Sequence, residues 1–162
     1  MKEIIDKISS YNLFNYLLPG ILFVTVLDKF TIYSLTQENL VIGVFVYYFI
    51  GLVISRIGSL VIEPVLRKVS FLKFASYSDF VSAFKKDSKI EVFLETNNMY
   101  RTFSSMFILL LLLKLYEFVE LVFPMLNRYN LYILLVLLLI MFLYSYRKQT
   151  KYIVNRIKVN NK

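Results

Sequence analysis

Four apolar stretches, separated by segments whose positive charge alternates sharply, constrain this chain more than any other feature. The stretches cover residues 13–27 (reaching toward 35), 40–57, 102–123 and 131–146. Residues 1–12, 66–101 and 147–162 carry 2, 7 and 6 Lys/Arg, whereas residues 28–39 and 124–130 carry one each, Lys29 and Arg128. Of these 17 positive charges, 15 therefore fall on alternate segments. Inserted chains retain Lys/Arg-rich segments on the cytoplasmic side. The pattern predicts an all-α fold: a four-span transmembrane helical bundle with both termini cytosolic. The expected spans are about 13–35, 40–62, 102–123 and 128–147, with a cytosolic helical insertion at 64–101 and a basic tail at 148–162.

Composition supports the same reading. Of 162 residues, 58% are hydrophobic, more than a soluble domain of this size can hide but an amount that a bilayer solvates directly. The net charge of +8 then reads as a topology signal, reinforced by attraction to anionic lipid heads. No folded basic domain is left to bind nucleic acid, so no direct nucleic-acid partner is expected. The chain has neither cysteine nor histidine, which excludes disulfides, thiolate nucleophiles, Cys/His zinc sites and histidine proton relays. Residues 1–11 mix Glu3 and Asp6 with Lys2 and Lys7, and no small-residue cleavage site follows, which argues against a cleavable signal peptide.

Along the chain, residues 1–18 read as an amphipathic lead-in, with Ile4, Ile5, Ile8 and Phe14 near helical spacing. Pro19-Gly20 then interrupts the apolar run, so the first span is either kinked there or begins there. Gly51, Ser55 and Ser59 recur every fourth residue along the second span, with Gly43 two turns earlier. Small residues at that spacing admit a close helix–helix contact, inside the bundle or between subunits. Arg56 lies at the inner end of this span, where it can snorkel, and Glu63-Pro64 marks an end or a kink. Ser76-x-x-Asp79 and Ser88-x-x-Glu91 resemble capping boxes and predict two short cytosolic helices, the second running through Arg101 into the third span. Their apolar faces carry Phe80, Val81 and Phe84, then Ile90, Phe93 and Leu94. These faces either pack on each other and the bilayer or dock a cytosolic partner; Phe80, Phe84, Lys85, Lys86, Asn97 and Arg101 are the candidate docking residues. Tyr129 and Tyr132 at one end of the fourth span, and Tyr144 and Tyr146 at the other, suit the two membrane rims. The tail either continues that helix or lies along the inner leaflet.

No reaction is written into these residues. A nucleophilic triad needs a base beside its hydroxyl, and Lys114 has no serine within two helical turns on its own helix. The phosphate-binding patterns GxxxxGK[ST] and GxGxxG are absent. The chain is therefore expected not to be an enzyme and to hold no cofactor or metal. Its candidate polar site is the set Asp28, Lys29, Lys114, Glu117 and Glu120. Helical rise puts Asp28 about 22 Å and Lys114 about 20 Å above the inner edge, well inside a core about 30 Å thick. A lone charge at that depth costs about 2–3 kcal/mol, so Asp28 and Lys114 are expected to pair, with Lys29 in reach of Glu117. The pair is a structural ion pair or snorkels outward, or else it forms a polar vestibule or gate.

In plan, the chain resembles the small four-helix membrane subunits of bacterial anti-phage defence, of the Kiwa type or the membrane effectors of cyclic-nucleotide signalling. The resemblance rests on the short length, four spans, cytosolic ends, and the helical loop 76–101 with its KKDSKIE and NNMYR segments. It implies an inner-membrane homo-oligomer that senses or perturbs the membrane and works with a soluble cytosolic partner. A small ion or solute channel or transporter subunit is the alternative reading.

Overall fold

The computed structural model describes residues 12–160. Among them it is all-helical: five helices, which we number α1 (Leu13–Phe30), α2 (Leu40–Lys68), α3 (Tyr77–Lys86), α4 (Lys89–Val122) and α5 (Asn130–Asn160). The amphipathic lead-in expected from Ile4, Ile5 and Ile8 lies outside the described residues. Three helical stretches are long and apolar enough to cross a membrane: α1, α2, and the run Pro124–Asn160 made of a 3-10 turn and α5. The remaining long helix, α4, carries Lys114, Glu117 and Glu120 in its apolar half.

Both proline signals fall inside continuous helices. The turn Leu13–Leu17 is a π-turn, closed by the Leu18 N–H on the Leu13 carbonyl, and Pro19 follows at the start of the α-helical part. The same arrangement recurs at Gly58–Ile62, where the Glu63 N–H reaches the Gly58 carbonyl and Pro64 follows. A proline ring clashes with the carbonyl four residues back and brings no N–H; a widened turn relieves the clash without ending the helix. Helix α2 therefore runs past residue 62, the boundary expected for the second span, to Lys68. It stops where Ser70 takes a left-handed conformation, with Ser70 and Phe71 donating to the Arg67 and Leu66 carbonyls.

Helix α1, in contrast, ends at Phe30 and not near Leu35. Thr31 turns to extended backbone, and both its N–H and its hydroxyl bond the Leu27 carbonyl at 2.9 Å. Asn39 caps α2 by accepting from the Val41 and Ile42 N–H groups. Of the two expected capping boxes, Ser76 accepts from the Asp79 N–H and donates to its carboxylate. Ser88 makes no such bond; Asp87 Oδ1 takes the Lys89 N–H instead, since an Asp one residue earlier already offers a stronger acceptor. Helix α4 then continues without a break from the loop into the apolar stretch, a rod about 50 Å long. Helix α5 likewise carries the basic tail as helix to Asn160.

Packing is uneven. Helices α1, α2 and α4 form the core, with Phe23, Val24 and Leu27 of α1 against Ile54 of α2 and Met106 and Leu110 of α4. Helix α5 buries only Met141 and touches α2 through the stacked rings of Phe142 and Phe49. Three helices pack tightly and a fourth leans on them. Apolar side chains on the outer faces, Leu111, Leu115, Leu135 and Leu139 among them, are more than half exposed. That surface is costly in water and cheap in hydrocarbon.

Candidate functional site

The chain's connectivity gives the helices two ends: a basal end with the start of α1, the end of α2 and the tail of α5, and a distal end with residues 31–39 and 123–130. Each end holds a polar cluster, and the sequence reading found part of each.

At the distal end the structure brings Lys114, Glu117 and Glu120 together and leaves Asp28 and Lys29 out. Lys114 Nζ pairs with Glu117 at 3.0 Å on its own helix, one turn on, and lies beside the Phe30 and Phe118 rings. The Ile32 N–H, freed where α1 ends, donates to the same carboxylate at 3.3 Å. Asp28 and Lys29 are exposed and form no ion pair among the described residues. The expected Asp28–Lys114 pair is therefore corrected: equal depth was right for pairing only if the two faces met, and α1 turns Phe23, Val24 and Leu27 inward instead. Accordingly, Asp28→Asn should leave the melting temperature in detergent unchanged, within about 0.5 kcal/mol, as for an unpartnered exposed side chain. A clear loss of stability would reinstate the pair.

Glu120 is held by neutral donors. The Tyr33 hydroxyl donates to it at 2.6 Å and the Asn130 amide donates to its other oxygen, while the Tyr116 hydroxyl donates to Asn130 Oδ1 at 2.7 Å. The Tyr33 and Tyr116 rings stack, which fixes both hydroxyls. Glu117 and Glu120 are both buried, so two carboxylates one turn apart share a site with one lysine. Tyr33 and Asn130 were missed because they sit at chain reversals, where sequence spacing carries no face information; Tyr116 lies on α4 one turn before Glu120, so spacing could have found it.

The basal cluster centres on Glu63. Arg101 Nη1 lies 2.8 Å and Lys148 Nζ 3.8 Å from its carboxylate. Lys148 also donates to the Ser59 carbonyl at 2.6 Å and to Ser59 Oγ at 2.7 Å. This contact follows from the π-turn. In that register the Ser59 carbonyl would look to the N–H of residue 64, which is a proline, so the freed acceptor takes a lysine from another helix. Deeper in, buried Thr102 donates to Asn15 Oδ1 at 3.0 Å, joining α4 to the π-turn of α1.

The small residues fall into two roles. Gly51 of α2 lies on the Tyr16 carbonyl of α1, and Gly20 of α1 lies on the Tyr47 carbonyl of α2, so this close approach lies within one chain. Gly58 faces Ser105 and Arg101 of α4. Ser55 is buried, and Ser59 serves as the Lys148 acceptor. Gly20 and Gly58 were not singled out from sequence; a glycine next to Pro19 looked like part of a break.

The expected docking residues are divided by the structure. Phe80 is flanked by Tyr77 and Phe84, and Tyr77 stacks on Tyr152 of α5. Lys85 donates to Asn160 at 3.1 Å, and Arg101 is engaged by Glu63. Helix α3 thus seats on the extension of α5. Lys86 of α3 remains exposed, as does Asn97 of α4, one turn from the exposed Phe93. Compared with known protein families, curated proteins and solved structures, the chain gives no match.

Proposed function

We propose that this chain is an oligomeric subunit of the bacterial inner membrane, crossing it four times with both termini cytosolic, that works by association and not by catalysis. On this reading α1, α2, α4 and α5 are the spans, and α4 crosses because Lys114 and Glu117 neutralise each other. The observation that carries the proposal is mechanical. Helix α5 is packed loosely within the apolar region, yet its basic extension seats the cytosolic helix α3 through Tyr77–Tyr152 and Lys85–Asn160. A shift of α5 in the bilayer, on binding another copy or on a change in the membrane, would move α3, with Lys86, relative to the exposed face of α4 that carries Phe93 and Asn97. That face is where a soluble partner would dock, and the plan shared with small defence subunits points to anti-phage function.

Topology is tested first. The chain has no cysteine of its own, so single introduced cysteines report cleanly. One at Ser78 should resist an impermeant reagent in intact cells, whereas one at Thr36 or Asn127 should react; labelling at Ser78 overturns the arrangement. Coupling is tested by co-purification with the soluble products of neighbouring genes. Phe93→Asp should abolish capture at normal expression, and undiminished capture removes this face from the proposal.

The buried distal carboxylates favour a second reading, a small channel or transporter. Glu120 has no cation partner among the described residues, and a cation or proton could use it. Flux through liposomes that is lost in Glu120→Gln would support this second reading over the first.

A further inference from the structure

We propose that the basal cleft between α2 and α5 binds a phosphate group, supplied by the headgroup of an anionic phospholipid at the inner leaflet. The cleft is lined by Arg56, Ser59, Ser145, Lys148, Gln149 and Tyr152. The cleft has about 20 Å³ of free space, room for one oxygen atom with its hydrogens, and is partly open to the outside. The Ser145 hydroxyl is buried with no hydrogen-bond partner among the described residues, and it lines this space. A buried donor without an acceptor is costly, so an incoming oxygen is favoured there.

Charge points to an anion. Arg56, Arg67 and Arg101 all lie close enough to Lys148 to act on its charge, with one carboxylate, Glu63, among them, leaving an excess of three positive charges. Glu63 is held between Arg101 and Lys148, and Arg67 lies over the Phe74 ring. Arg56 makes no hydrogen bond or ion pair among the described residues, although it borders the cleft. The Arg56 guanidinium with its open fork, beside the Ser145 hydroxyl and the positive charge of Lys148 in one cleft, matches a phosphate monoanion. The cleft also lies where the apolar stretch of α5 gives way to its basic tail, the depth of lipid headgroups. Lipid is therefore the favoured source over free phosphate.

The site rests on the membrane reading alone, so a failure of partner capture or of flux leaves it standing. The test uses the full chain, purified in detergent and stripped of lipid. Phosphatidylglycerol, phosphatidylcholine and inorganic phosphate are added separately, and inorganic phosphate also in competition with phosphatidylglycerol, with bound adducts read by native mass spectrometry and stability by thermal unfolding. Phosphatidylglycerol should bind and raise the melting temperature, with phosphatidylcholine roughly tenfold weaker. Arg56→Gln should melt as the parent without lipid, because Arg56 has no internal partner, and should bind phosphatidylglycerol roughly fivefold more weakly. Ser145→Val, which removes only the cleft hydroxyl, should weaken it as well. Inorganic phosphate displacing the lipid supports a phosphate site; inorganic phosphate binding as tightly as the lipid keeps the site and overturns the lipid as its source. Equal binding of the two lipids, or undiminished binding in both variants, overturns the proposal.

Discussion

Gly51→Ala and Gly20→Ala are each expected to destabilise the helical core by at least about 3 kcal/mol, the upper range for overpacking a closed contact. The two glycines face each other's helices reciprocally. A methyl group on Gly51 would overlap the Tyr16 carbonyl, and one on Gly20 would overlap the Tyr47 carbonyl. In both cases the obstacle is backbone, which cannot rotate away as a side chain can. Alanine does favour a helix over glycine, by about 1 kcal/mol per site, so propensity and sterics pull in opposite directions and sterics wins. Gly43→Ala separates the two effects. There the added carbon meets the Tyr47 ring at 3.4 Å, an ordinary contact, so this variant should be neutral or slightly stabilised. Thermal unfolding of the three variants in one detergent checks the order. A Gly51→Ala protein as stable as the parent would mean that α1 and α2 do not approach as closely as described.

Helix identity was legible because apolar runs and charge punctuation are properties of consecutive residues. The long α4 and the helical extension of α5 follow from unbroken segments without proline or glycine between residues 89 and 122 or after residue 130. The prolines were misleading for a physical reason: proline excludes an ordinary α-helical turn, but a π-turn absorbs it, and no residue pattern at 13–17 or 58–62 announces that turn. The sites were only half legible. Lys114 and Glu117 stand one turn apart on one helix, so spacing alone suffices for them. Asp28 depended on how α1 rotates toward α4, which depth arithmetic does not address. Glu63 could have been found, since an acid among the basic residues of the basal end needs a cation to remain buried. Its second cation, Lys148, could not, because that contact depends on a carbonyl released by Pro64.

Removing the Glu63 charge should have the other large effect. Glu63→Gln leaves Arg101 and Lys148 facing each other with no anion between them, near Arg56 and Arg67. Breaking a buried ion pair by deleting one partner costs about 3–5 kcal/mol, because the remaining charge is stranded. Here Arg101 keeps 21% of its side chain exposed, and water screens part of that cost, so about 2–3 kcal/mol is expected. Lys148→Met alone should cost less, about 1–2 kcal/mol, chiefly for the Ser59 carbonyl left without a donor while Glu63 keeps Arg101. The double variant is the informative one. Once Glu63 is neutral, deleting Lys148 also removes a repulsive charge, so the combined loss should fall short of the two single losses added together. Strict additivity in the unfolding free energies would mean that Glu63 and Lys148 act independently, and that the basal ends of α2, α4 and α5 are joined by packing and not by this shared charge.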